Sequence, residues 1–312
     1  MDGEEPAHHH DEPDHHHVDA AADQRILAVT LGLIVAYLAV ELVVALLAHS
    51  LVLLADAGHM VTDAAAIAGA IAAARLAARP ASGKWTFGLK RAEILSAGLN
   101  GVTLVAMAAL VVTEAVRRLL HPHPVLGPAV LVVAVVGLLV NVMATTLLHR
   151  ADRTSMNVQG VFQHVLTDLY GFAGTVVAGI VIVTTGFTRA DSIASLLVAG
   201  LMLRAAWGLL RDSGRILLEA TPEGFDLAAV RAHMLETPHV TDVHDLHAWT
   251  VTSRLPALSA HVVVADCCFV EGHAPQILDQ LQDCLAGHFD VEHSTLQLEL
   301  AGHSDHERDH GH

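Results

Sequence analysis

The stretch LLADAGHMVTDAAAIAGA, residues 53–70, decides how the whole chain is read. Most of it is apolar, yet Asp56, His59 and Asp63 interrupt it. On an α-helix, residues at i and i+4 share one face, roughly 6 Å apart along the axis. Asp56 precedes His59 by one turn, so all three polar groups occupy a narrow arc. Inside a bilayer each charged group costs about 2.5–3.5 kcal/mol even on insertion scales. Something must offset that cost.

The rest of the chain supports a bilayer setting. Of its 312 residues, 53% are apolar and only 16% charged, and its mean hydropathy is +0.48. That balance is too apolar for an ordinary soluble domain. A spanning helix needs about 20 mostly apolar residues. Six windows satisfy this: Ile26–Ala48, Leu51–Ala74, Ala92–Val116, Ala129–Leu148, Val158–Thr184 and Ser192–Leu210. The sixth has Asp191 and Arg204 at or inside its edges. Lys and Arg gather in the second connection (Arg75, Arg79, Lys84, Lys90, Arg91), in the fourth (Arg150, Arg153) and after the sixth span (Arg211, Arg215). Arg117 and Arg118, after the third span, run against this pattern. The weight of basic residues puts both termini in the cytosol.

The formal net charge of −16 argues against nucleic-acid binding. All three cysteines, Cys267, Cys268 and Cys284, fall beyond the last span, where thiols stay reduced. Cys267 and Cys268 are adjacent, without the C-x-x-C spacing of a strong metal or redox motif. The start of the chain is acidic and His-rich, unlike the basic n-region of a cleavable signal.

Beyond RDSGRILLEATPEG the composition becomes that of a soluble domain. FDLAAVRAHMLE is amphipathic and helical, TDVHDLHAWTVTS and ALSAHVVVAD alternate as strands, and a turn is expected at Leu255-Pro256. APQILDQLQDCLAGHF reads as a second helix and STLQLEL as a third strand. The expected fold is a membrane all-α six-helix transmembrane domain plus a cytosolic α+β C-terminal domain of α-β-β-α-β order, an open-faced sheet with helices on one side. The divisions are 1–24, a His-rich cytosolic tail; 25–213, the transport domain; 214–300, the cytosolic domain; and 301–312, a second His-rich tail.

HMVTD in the second span has an echo, HVLTD, in the fifth, which aligns His59 and Asp63 with His164 and Asp168. Two such helices, paired, could present two imidazoles and two carboxylates to one point. That tetrahedral N2O2 set suits Zn²⁺ at about 2.0–2.2 Å, and also accepts Co²⁺ or Cd²⁺. With no Cys or Met beside either motif, copper(I) is disfavoured. A divalent cation would neutralise both carboxylates and so offset their burial. Asp56 is either a third acid on this face or a hydrogen-bonding group at a helix interface. Glu41, Asn100 and Asn141 are further polar residues in spans; the two Asn are expected to join helices.

At this point the sequence resembles the cation diffusion facilitator family over about residues 26–300. The likeness lies in SLVLLADAGHMVTDAAAI, WTFGLKRAEILSAGLNG, NVQGVFQHVLTDLYG, RADSIASLLVAG and the late LLEATPEG…VHDLHAWTVTS, all in order. It implies a homodimeric six-span exporter that moves Zn²⁺, and sometimes related divalent ions, out of the cytosol in exchange for protons. By this resemblance His59, Asp63, His164 and Asp168 form the transport site. A His in both motifs looks like the zinc–cobalt–cadmium resistance branch. The cytosolic domain looks like the family's metallochaperone-like module, which dimerises and binds regulatory zinc. By motif position His244, His261 and Glu299 match its cytosolic site; His247 belongs to the same motif, with its ligation open.

The departures from the family pattern also matter. ARPASGKWTFGLKRAE, between spans two and three, carries no His or Asp, so no further zinc site is expected there. LLHRADRTSMN is too short for the His-rich loop of animal relatives, and the terminal His clusters (His8–His10, His15–His17) are candidate weak zinc collectors. ADS replaces the usual Asp-Pro at the start of span six. HERDH, residues 306–310, formally matches the H-E-x-x-H hydrolase pattern, but it lies in a polar tail without a third ligand or a cleft. No enzyme activity is expected.

A ligating imidazole must be neutral, so protons compete with the ion, and imidazole titrates within the physiological range. The expected cycle is capture from the cytosol, rocking of the helices, and release as protons reload, with the ion site fixed. The protein is thus read as a multi-pass integral protein of the cell's inner membrane, with lipid, protons and divalent ions as partners. A membrane zinc receptor without net transport is the competing reading.

Overall fold

The computed structural model describes residues 15–47, 51–120, 128–151, 155–253, 255–291 and 293–303, with side chains from 22, 57 and 135 onward in the first, second and third of these segments. The His8–His10 tract, most of the C-terminal tail with HERDH, and the side chains of Asp56 and His15–His17 lie outside the described residues.

Each apolar window becomes a helix: α1 (His15–Leu47), α2 (Leu51–Ala77), α3 (Ala92–Leu120), α4 (Pro128–Leu148), α5 (Met156–Thr185) and α6 (Ala190–Leu217). Among the described residues, five of these are long and apolar enough to cross a membrane. The exception is α4, which spans 21 residues in full and is described with its side chains only over Val135–Leu148. The sixth window, despite Asp191 and Arg204, is one continuous helix that runs past residue 213 to Leu217, with Asp191 in its first turn. Gly186 ends α5 in a left-handed conformation (φ 73°), its N–H donating to Ile182 O, which satisfies an otherwise open carbonyl.

The bundle has two cores. Leu27, Ile34 and Tyr37 of α1 pack with Met60 and Ile67 of α2, Ala144 and Leu148 of α4, and Val161 and Val165 of α5. Separately, Leu104 and Ala108 of α3 pack with Met202, Ala206 and Leu209 of α6. The outward faces of these helices remain apolar, as at Leu99, Leu110, Val183, Leu197 and Trp207. A large exposed apolar surface of this kind suits a lipid environment.

After α6 comes a smaller unit: α7 (Leu227–Leu235), β1 (Val240–Thr252), β2 (Leu255–Val264), α8 (Cys267–Val270), α9 (Ala274–Phe289) and β3 (His293–Leu300). The strand order is β1-β2-β3, antiparallel between β1 and β2 and parallel between β2 and β3. Asp226 caps α7, accepting from Ala228 N at 2.9 Å and Ala229 N at 3.4 Å. Alternation puts Leu258, Ala260, Val262 and Val264 of β2 toward Val230, Met234, Ile277, Leu281 and Leu285 of the helices. The other face of the sheet is left for polar residues.

One sequence expectation needs correction. Leu255 and Pro256 do not form the hairpin turn: they open β2, opposite Thr252 and Thr250. Proline lacks an N–H but is tolerated at the start of a strand. The α-β-β-α-β order is as expected, with a single helical turn, α8, added between β2 and α9.

Candidate metal centre

The H-x-x-T-D motifs meet because α2 and α5 are bound together on either side of them. Asn157, near the start of α5, donates from Nδ2 to Ala70 O of α2 at 2.7 Å. Met60 and Ile67 close the interface with Val161 and Val165. The motif threonines are turned back on their own helices: Thr167 Oγ1 donates to His164 O at 2.6 Å and Thr62 Oγ1 reaches Gly58 O at 3.5 Å. The ionisable groups are left to face one another.

His164 Nε2 lies 2.8 Å from Asp63 Oδ1. His59 Nε2 lies 3.5 Å from Asp168 Oδ1 and 3.9 Å from Asp63 Oδ1. Ligand atoms of His59, Asp63 and Asp168 fall within 4.8 Å of one another, and His164 joins this group through Asp63. Asp63 Oδ2 and Asp168 Oδ2 are buried with no hydrogen-bond partner among the described residues. Buried carboxylate oxygens left open in this way mark a place that a cation would complete.

The described cluster is exposed at His59. The His59 side chain is 27% exposed, whereas that of His164 is only 2% exposed. A cavity of about 200 Å³ reaches His59 and Asp168 and continues past Thr167, Thr175 and Ser195 to Asp191. Its walls come from the later half of α3, the middle of α5 and the first half of α6, remote from Leu217, where the soluble unit attaches. In its lining, Asp191 Oδ2 lies 3.5 Å from Arg118, which also bonds Glu114 at 2.8 Å. Asp191 and Arg118 entered the sequence reading only as irregularities at span ends, because nothing local in the chain pairs residues 73 apart.

Glu41, Asn100 and Asn141 are all buried. Asn141 does not join two helices through its described bond: its Nδ2 donates to Gly137 O, one turn back in α4, at 3.1 Å. Asn157, which the sequence did not single out, makes the helix-to-helix bond instead. Asn100 lies beside Gly160, where a Cβ would come within 3.2 Å of its Nδ2 and 3.4 Å of Ala97 Cα. The close approach of α3 to α5 therefore depends on a residue with no side chain.

The soluble unit holds a second His–carboxylate group. His244 and His261 are direct partners across β1 and β2, and Glu299 stands on the adjacent β3. Glu299 Oε1 is 2.9 Å from His261 Nδ1 and its Oε2 is 3.5 Å from His244 Nε2. The three offer ligand atoms within 4.8 Å. Gln297 Nε2 donates to Glu299 Oε1 at 2.7 Å. His247 turns instead to Asp245, 2.9 Å away. Asp245 sits at the β1 irregularity with φ 49° and also approaches His261 Nε2 at 3.8 Å.

An ionisable cluster midway along paired apolar helices, a cavity reaching it from one side and a soluble α+β unit at the other end define a multi-pass membrane protein that handles cations. Similarity to known proteins gives the same class. The family domain described as the cation efflux transmembrane domain matches residues 27–218, and the cation efflux protein cytoplasmic domain matches residues 222–301. Zinc transporter ZitB of Escherichia coli is 41% identical over 271 residues, 86% of this chain and 85% of that protein. The metal cation efflux system protein CzcD of Cupriavidus metallidurans is 38% identical over 279 residues, 89% and 87% of the two chains. A cadmium, cobalt and zinc/H(+)-K(+) antiporter of Bacillus subtilis is 34% identical over 285 residues, 91% of each. The chain belongs to the cation diffusion facilitator family. It is an integral membrane cation-efflux transporter and not an enzyme.

Proposed function

We propose that this protein exports Zn²⁺, and with it Co²⁺ and Cd²⁺, from the cytosol in exchange for protons, using His59, Asp63, His164 and Asp168 as the carrier site. The observation that carries the reading is the meeting of His59, Asp63 and Asp168, with His164 bonded to Asp63, beside two buried carboxylate oxygens without a hydrogen-bond partner among the described residues. Two carboxylates balance the charge of a divalent ion, and two imidazoles bring the donor set to four. Relatives named as a zinc transporter and as a cadmium, cobalt and zinc antiporter support the choice of ions.

The bond between His164 and Asp63 links the ion to the proton. With His164 as imidazolium, or with Asp63 protonated, the pair carries one proton more than a neutral imidazole and a carboxylate hold, and an ion bound through those atoms displaces that proton. Loading from the cytosol therefore releases protons, and protons entering by the cavity at His59 reform the bond and expel the ion. Because the cavity lies on the side away from the cytoplasmic domain, the arrangement described corresponds to the releasing half of the cycle. The helices then close around the same site and open toward the cytosol.

On this reading the protein works as a homodimer in the cell's inner membrane, with both termini in the cytosol. The cytosolic domain supplies the dimer contact, and His244, His261 and Glu299 bind regulatory zinc. The test is transport in sealed proteoliposomes carrying one dye for zinc and another for pH. Zinc entry coupled to proton exit, abolished in Asp168→Ala, is the expected result. Flux indifferent to a pH gradient would remove the antiport step. Zinc binding without any flux would instead favour a receptor.

A further inference from the structure

The adjacent cysteines lack a recognisable metal spacing, and the third group that gives them one lies 28 positions upstream. β1 starts beside the end of β2, with Val240 opposite Val264. The turn before β1 holds His239 at φ 72°, and Ala265 N donates to its carbonyl at 3.0 Å. This sets the imidazole next to the first turn of α8, where Cys267 and Cys268 begin the helix. Ligand atoms of His239, Cys267 and Cys268 all fall within 4.8 Å of one another. The cluster stands at the end of the sheet away from the bundle. The other end is the one that meets the membrane block, through Met156 N to Ser253 Oγ at 3.1 Å and through the Phe87 and His293 rings at 5.4 Å.

We infer that His239, Cys267 and Cys268 form a thiolate-rich site for a soft divalent ion, Cd²⁺ or Zn²⁺, separate from the His–carboxylate clusters. The geometry is the argument. The two Sγ atoms are 3.9 Å apart. Two thiolates held at about 2.3 Å from one tetrahedral ion stand about 3.8 Å apart, the edge of that tetrahedron. A disulfide would need about 2.05 Å, and both cysteines are free. Cys268 is buried while Cys267 and His239 are exposed, so an ion can enter from solvent and still rest on a buried anchor. The balance is simple: M²⁺ and two thiols give a dithiolate complex and two protons, with the imidazole as third donor and water as fourth. Thiolates favour soft ions, whereas the other clusters offer only nitrogen and oxygen.

The inference concerns binding alone and stands whether or not the carrier reading holds. The test uses the full-length protein in detergent, with His59→Ala and His244→Ala added to silence the other clusters, and Cd²⁺ as the probe. A thiolate-to-cadmium charge-transfer band in the ultraviolet, saturating at one ion per chain, is expected. It should vanish in the Cys267→Ser, Cys268→Ser double variant and persist in Cys284→Ser, and His239→Ala should weaken Cd²⁺ by at least about tenfold. In the otherwise unaltered protein, Cd²⁺ should slow maleimide labelling of Cys267, read by mass spectrometry, by a similar factor. Absence of the band in the parent, its loss only with Cys284, or labelling indifferent to Cd²⁺ would each overturn the site.

Discussion

Two His–carboxylate clusters, similar in donor atoms, rest on opposite kinds of scaffold. His244, His261 and Glu299 stand on neighbouring strands, two of them direct partners in a ladder. Their spacing is a property of the sheet and cannot change without breaking backbone bonds. His59, Asp63, His164 and Asp168 are divided between two helices whose contact is made by side chains and one Asn–carbonyl bond. Such an interface can slide or tilt while each helix stays intact. A fixed site suits sensing or scaffolding, and a site divided across a movable seam suits carrying.

Substitutions can break that contrast. Asp63→Ala removes the residue that touches both imidazoles, and zinc flux in proteoliposomes should fall by more than about 100-fold. His244→Ala should leave the flux detectable and lower zinc binding to the cytosolic domain. Equal loss in both variants would mean that the two sites act as one. Leu281→Ala opens a cavity in the fully buried core of the soluble unit and should destabilise it by about 2–5 kcal/mol. Hydrogen exchange should show α7, α9 and the sheet loosening while α2 and α5 keep their protection.

Smaller effects sharpen the contrast further. Asp245→Ala removes the carboxylate 2.9 Å from His247 and a neighbour of His261, and should weaken cytosolic zinc by about tenfold, read by calorimetry. Cys284 has its thiol pushed up by burial and by the Glu236 carboxylate. A raised thiol is less often thiolate, so its alkylation near neutral pH should be slower than that of a free cysteine and should speed up as pH rises. Glu236→Gln should accelerate it modestly.

These differences also explain what the sequence could and could not reveal. His59 and Asp63 are one helical turn apart on an apolar helix, so their shared face and their cost are both local facts, and the echo at His164 and Asp168 repeats them. The six apolar windows are local in the same way. His244 and His261 become neighbours only through strand register, and no periodicity in the chain supplies it; the resemblance to a family did. Asp245 went unseen because its part depends on a left-handed backbone angle. The salt bridge of Arg118 with Asp191 and the meeting of His239 with the cysteine pair depend on tertiary closure over long separations. Pro256 misled for another reason: its usual place in turns outweighed its tolerance at a strand's first residues.

The pairing of His164 with Asp63 also ties together the two helices that carry them. A hydrogen bond in a low-dielectric interior is stronger than the same bond in water. The contact is thus a strut as well as a pair of donor atoms, and any group that takes over those atoms gives up a link between α2 and α5.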